Sequence, residues 1–298
     1  MNCELAVKID VDTLKGYLEG VPRLLELLGG RNIKASIFFS MGPDNSGRLL
    51  RRILPGGLIP RMLRARTPAT GPLRALLYGK FPGAPMIVPS NPDILKRAEG
   101  EGHDCGIRCW DRAKWEDGLP AMSREEIRAE FARSIELFSG VTGREPVSSA
   151  APGWRLSVDS LTVQDELGFA YCSDVRGAAP FLPRVGGVAF RTLQIPVTLP
   201  VPEEAWNASR DADAVRDEYL DLLEPGLNVC TLSAEMADDG LNGFFRRFLD
   251  CCVEGEIRFV TLRDAALRRG GEPALRVCDV ETRLVPGRPA GVAVQRTG

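Results

Sequence analysis

The chain has 298 residues, 44% of them hydrophobic and 26% charged, with a net charge of −2. This is the composition of an ordinary globular protein, long enough for one barrel-type α/β domain. The near-neutral balance gives no reason to expect nucleic acid as a partner, and no apolar run approaches the ~20 residues that a membrane-spanning helix needs.

Taken in chain order, the first predicted element is a strand over 4–11, reached with no signal-peptide pattern before it. Further strands are predicted over 34–40, 104–109, 146–151, 169–174, 192–197, 228–233 and 257–262. Between them, amphipathic helices are predicted over 21–28, 124–138, 158–167, 211–223 and 241–253. Repeated strand–helix units predict a parallel sheet closed, or nearly closed, into a barrel, with its site at the carboxyl ends of the strands. Residues 1–269 are expected to form this domain. Residues 270–298, rich in Gly and Pro, are expected to form a loosely attached tail or a short hairpin.

One stretch breaks the alternation. From 45 to 92 there is no Asp or Glu but eight bases, Arg48, Arg51, Arg52, Arg61, Arg64, Arg66, Arg74 and Lys80, interleaved with Leu, Ile, Met and Phe. Such a basic amphipathic insertion packs on the barrel with its bases solvated, or lies peripherally on an anionic membrane face. The eight cysteines fall at irregular spacings, Cys251 and Cys252 being adjacent, which suits reduced thiols in the cytoplasm better than a disulfide framework.

Two places carry the signs of a site. The first strand ends in alternating carboxylates, Lys8-Ile9-Asp10-Val11-Asp12-Thr13. The third ends Gly106-Ile107-Arg108-Cys109-Trp110-Asp111-Arg112, with two arginines four residues apart. Long runs elsewhere carry a resemblance. They include Glu19-Gly20-Val21-Pro22-Arg23, Ala35-Ser36-Ile37-Phe38-Phe39-Ser40, Gly42-Pro43-Asp44-Asn45, Gly153-Trp154-Arg155, Arg176-Gly177 and Gln194-Ile195-Pro196-Val197-Thr198-Leu199-Pro200. From about residue 4 to about residue 265 the chain resembles the polysaccharide deacetylase (NodB-like) family. Within that family it is most similar to the bacterial deformylases that remove a formyl group from a lipid-linked aminosugar during lipid A modification.

The resemblance implies an α/β fold, the distorted (β/α) barrel of that family, and a metal-dependent hydrolysis of a non-peptide amide. It matches Asp10 to the family's base, Asp12 to its metal carboxylate, Arg155 to the arginine that braces the base, and Asp174 to the carboxylate that tunes the acid. Arg108 and Arg112 stand where the two metal histidines belong. Ser233, in Thr231-Leu232-Ser233-Ala234-Glu235, stands where the acid histidine belongs. A guanidinium has no lone pair to offer a metal, and a serine hydroxyl is a poor general acid.

The single histidine, His103, precedes the third strand and so falls at the wrong end of the barrel for catalysis. Cys105 and Cys109 flank Arg108, but side chains alternate along a strand, so both should face away from the site if Arg108 faces it. Asp10, Asp12, Asp111 and Asp174 could gather around a hard cation, were two guanidinium groups not beside them. The expectation is therefore a deformylase-like pseudoenzyme with no cofactor, binding a lipid-linked or anionic aminosugar or a partner in that pathway. Arg108 and Arg112 would grip an anionic ligand, and Trp110 and Trp154 offer ring faces to a sugar. Two alternatives stay open: an active N-formyl or N-acetyl aminosugar hydrolase with a rebuilt site holding Zn, Mn or Co, and a scaffold protein.

Overall fold

The computed structural model describes residues 3–49, 83–202, 211–236, 240–269, 275–285 and 290–296. The basic insertion expected over 45–92 lies largely outside the described residues.

The fold is built on β1 (Cys3–Val11), whose burial is complete on both faces from Leu5 onward. It runs parallel to β2 (Ser36–Phe39) on one side and β8 (Gly226–Ser233) on the other. The sheet continues from β2 through β3 (Asp104–Ile107) and β4 (Ser148–Ser149) to β5 (Tyr171–Cys172). A seventh strand, β9 (Arg258–Val260), pairs with Glu4–Ala6 of β1, short of the stretch that β2 takes up. All these pairings are parallel, as expected of βαβ units.

The distorted barrel has an irregular closing segment. A full strand was expected over 192–197, but that stretch makes only single bridges: Gln194 to Cys172 and to Phe181, and Val197 to Arg176. It nonetheless spans the gap between β5 and β8. The Ile195 amide donates to the Cys172 carbonyl, and the Thr198 and Leu199 amides both reach the Val229 carbonyl. Pro196 and Pro200 cannot donate to a ladder, which is the physical reason this segment bridges rather than pairs. The strands expected over 146–151 and 169–174 are likewise two residues each.

Strand alternation separates two apolar layers. Val7, Ile9, Val11, Ile37, Phe39, Cys105, Ile107 and Cys109 belong to the core between sheet and helices. Ala6, Phe38, Ala150, Trp154, Tyr171 and Val229 fill the barrel interior. The helices facing the outer core are tightly specified. That over Arg124–Thr142 opens on a reciprocal Ser123–Glu126 capping box and stops at Gly143, which takes φ 78°.

The C-terminal residues form β10 (Val277–Arg283) and β11 (Val292–Gln295), an antiparallel hairpin. With β6 (Leu182–Val185) and β7 (Val188–Ala189) they make a second, four-stranded sheet in the order β11-β10-β6-β7. The hairpin is not loosely attached. Val292, Ala293 and Gln295 are buried, and the Gln295 side-chain oxygen accepts from the Ala178 and Ala179 amides at 2.9 and 3.3 Å.

Candidate functional site

Asp10 and Asp12 end β1 pointing into the barrel mouth, both 8% exposed. Two buried carboxylates cannot stay charged without partners, so the surrounding cations decide what this place is. Arg108 follows β3 directly, its amide held by the Phe39 carbonyl at 2.9 Å. Its guanidinium lies between the aspartates. Nη1 contacts Asp10 Oδ1, and Nε is 2.8 Å from Asp12 Oδ1. Arginine thus compensates both carboxylates directly.

Arg112 opens the helix Arg112–Gly118, which Asp111 caps by accepting the Lys114 amide. From there Arg112 Nε reaches Glu116, one turn on, at 2.6 Å and Asp12 Oδ2 at 3.5 Å. The two arginines differ in access: the Arg108 side chain is 3% exposed and that of Arg112 29%. Ser40 completes the cradle, its hydroxyl donating to Asp12 Oδ1 at 3.1 Å.

A third cation, not singled out from the sequence, sits beneath them. Lys8 is fully buried, and its Nζ donates to both oxygens of Asp10 at 2.8 Å. The ammonium also lies 5.6 Å from the Phe38 ring centroid and 5.8 Å from that of Trp154. Burial pulls its pKa below the ordinary lysine value, against the attraction of Asp10. Burial works to raise the Asp10 pKa, but Arg108 and Lys8 outweigh it, and the net shift is downward. A carboxylate gripped by two cations is a poor proton acceptor. The signal was present in the sequence: a lysine two residues before Asp10, in an otherwise apolar strand, must share its face.

Glu235 is the second residue that sequence reasoning passed over. Its Oε1 accepts the Asp12 amide at 2.9 Å, and its Oε2 accepts the Ser233 hydroxyl. The backbone makes room for it: a Cβ on Gly16 would lie 2.7 Å from Glu235 Oε1, and one on Gly20 only 1.9 Å from the Ala234 carbonyl. Burial, then the neighbouring Asp12, push the Glu235 carboxyl above its usual range.

The remaining expected residues are placed as follows. Asp174 is fully buried and accepts from the Ala151 amide at 2.6 Å, Gln164 Nε2 at 2.8 Å and Gln194 Nε2 at 3.1 Å. Its partners are neutral donors that tie three segments together, and burial raises its pKa. Among the described residues the ion pairs to Asp10 come from Lys8 and Arg108; the backbone carbonyl of Arg155 accepts from Trp115 Nε1 at 3.1 Å. Trp154 is 6% exposed within the interior core, and besides Lys8 its ring carries Arg176 at 5.8 Å, so it is not an open platform for a sugar. Trp110 is half-buried, its carbonyl accepting the Gly42 amide. Cys105 and Cys109 face the outer core, and burial raises both thiols well above the ordinary value. His103 sits just before β3, its Nδ1 accepting the Ala35 amide at 3.0 Å.

The donor set at the mouth does not fit a divalent metal. Of the three positions the resemblance assigns to metal ligands, only Asp12 has a lone pair to give, and Arg108 covers one of its oxygens. No group of three or more His, Cys, Asp or Glu side chains able to hold a metal occurs among the described residues.

This barrel, with its paired carboxylates at the carboxyl ends of the strands, defines a class. Residues 11–172 match the family model for polysaccharide deacetylase, and the chain belongs to that family. Over 261 residues, 87% of this chain and 84% of the other, it is 34% identical to the probable 4-deoxy-4-formamido-L-arabinose-phosphoundecaprenol deformylase ArnD of Shewanella sediminis (strain HAW-EB3). Identity to the protein of the same description from Wigglesworthia glossinidia brevipalpis is 28% over 280 residues, 93% of this chain and 97% of the other. In fold it resembles a probable polysaccharide deacetylase from Pseudomonas aeruginosa PAO1, with a TM-score of 0.62, 15% identity and coverage of 90% of this chain and 91% of that one.

Proposed function

We propose that this protein is a deformylase-like member of its family that has given up metal-dependent hydrolysis and recognises a lipid-linked aminosugar in lipid A modification. The observation that carries the first half is the Arg108 guanidinium on both aspartates. A metal and that guanidinium cannot share the place, because both need the same carboxylate oxygens. The second half rests on the relatives, whose description is deformylation of an undecaprenol-linked formamido sugar. Arg112, the more exposed cation, and half-buried Trp110 are the residues best placed to meet such a ligand at the rim. The basic run from 45 to 92 supports peripheral contact with an anionic bilayer, each base contributing roughly 1 kcal/mol near such a surface. Among the described residues no helix is long and apolar enough to cross a membrane.

The test is a tryptophan-fluorescence titration with the undecaprenyl-phosphate-linked 4-formamido sugar in detergent micelles, in the presence of EDTA. Saturable binding, weakened by Trp110→Ala and absent with undecaprenyl phosphate alone, is expected. Equal response to both lipids would overturn sugar recognition, and binding abolished by EDTA would overturn metal independence.

A further inference from the structure

The Ser233–Glu235 pair is built more carefully than a vanished acid requires. Ser233 is the last residue of β8, at the mouth of the barrel, and a single helical turn, Ala234–Met236, follows it at once. Strand register sets it opposite Asp10. It is half-buried, and its hydroxyl donates to Glu235 Oε2. The carboxylate is fixed from its other side by the Asp12 amide on Oε1 at 2.9 Å, in space that only a glycine at position 16 leaves free. A hydroxyl donating to an oriented carboxylate, itself held by a third group, is the arrangement that activates a nucleophile.

We propose that Ser233 is a nucleophile and Glu235 its general base, together forming a metal-free acyl-transfer site for N-acyl aminosugars. As Ser233 Oγ bonds to the acyl carbon, its proton passes to Glu235 Oε2. The C–N bond then breaks, and that proton leaves on the amine. Water next gives a proton to Glu235 while its oxygen bonds to the acyl carbon; the C–Oγ bond breaks, Ser233 regains the proton, and a carboxylic acid departs. Arg112, which is partly exposed and lies 3.5 Å from Asp12, supplies the cation for the oxyanion. This step goes beyond ligand recognition, and the two readings fail separately: binding of the lipid-linked sugar does not need acylation, and acylation by a small ester does not need the lipid.

The experiment uses the full chain in EDTA with p-nitrophenyl acetate, quenched in acid and mapped by peptide mass spectrometry. An acetyl group on the peptide containing Ser233 is expected. It should be lost in Ser233→Ala, kept as a thioester in Ser233→Cys, and formed roughly 100-fold more slowly in Glu235→Gln with its pH dependence flattened. No adduct on Ser233, an adduct confined to lysine or cysteine residues of the native chain, or one unchanged by Ser233→Ala would overturn the nucleophile. An unchanged rate in Glu235→Gln would overturn the base.

Discussion

At the scale of single residues, the mouth of the barrel is a balance of buried charge in which each member depends on the next. Replacing Arg108 by Met strands Asp10 and Asp12, each 8% exposed, with Lys8 and Arg112 as the cations left. Breaking a buried pair on one side costs about 3–5 kcal/mol, and urea denaturation of Arg108→Met should show a loss of that order. Arg108→Met combined with Asp12→Asn should recover part of it, because the second change removes the stranded charge. A loss under ~1 kcal/mol for the single variant would mean the contacts are incidental. The same balance gives a sign to the pH dependence. Asp174, Asp104 and Glu235 have folded pKa values raised, first by burial, so the fold favours their protonated forms. Their contribution is present at low pH and lost as pH rises through the folded values. Asp10 is lowered, so its contribution is present above the unfolded value of about 3.9 and lost as pH falls through the folded one. Thermal midpoints should therefore rise as pH falls through the raised folded values and fall again below about pH 3.9; a monotonic fall from pH 7 downward would contradict this. Asp10, Asp12 and the two arginines could be read from the sequence as spacing alone. For Lys8 the spacing gave the face it shares with Asp10 but not its burial, and for Glu235 nothing in a run of letters says that Gly16 will leave a carboxylate its room.

The elements were legible to different degrees for a physical reason. β1 and β8 are long apolar runs, and their pairing over Cys3–Asp10 follows the pattern that predicted them. The segment at 192–197 shows the same apolar pattern, but Pro196 cannot donate to a ladder and the segment makes isolated bridges to Cys172, Arg176 and Phe181. Periodicity alone does not register a missing donor. The C-terminal hairpin was harder still, since Gly and Pro content signals turns and says nothing of what the strands between them bury. Gln295 is the peg that holds β11: besides its side-chain contacts to Ala178 and Ala179, its amide donates to the Arg176 carbonyl at 2.8 Å. Gln295→Ala leaves the amides of exposed Ala178 and Ala179 without their side-chain acceptor and should cost about 0.5–1.5 kcal/mol. Hydrogen exchange should then speed up at 176–179 and leave β1 unchanged. Uniform exchange across the chain would show that the hairpin is energetically inseparable from the barrel.

For the molecule as a whole, the proposed reading sets a guanidinium where the resemblance places a metal, inside a barrel of the family fold. Vesicle flotation addresses its relation to membranes: binding to anionic vesicles should weaken with salt and with Arg51, Arg52, Arg61 and Arg64 changed together to Glu, while equal flotation would refute electrostatic docking. The frame itself can be tested by reversal. Arg108→His, Arg112→His and Ser233→His together restore the neutral nitrogen donors at positions four residues apart, with Asp12 already in place. The three should act only as a set, because the metal ligands and the acid work as a unit and such effects are strongly non-additive. The most direct measurement is titration calorimetry with Zn²⁺, Mn²⁺ and Co²⁺ at neutral pH, run on the native chain beside this triple variant. The account predicts no tight binding to the native chain and stoichiometric Zn²⁺ binding to the folded variant. Submicromolar binding to the native chain that disappears in Asp12→Ala would contradict it.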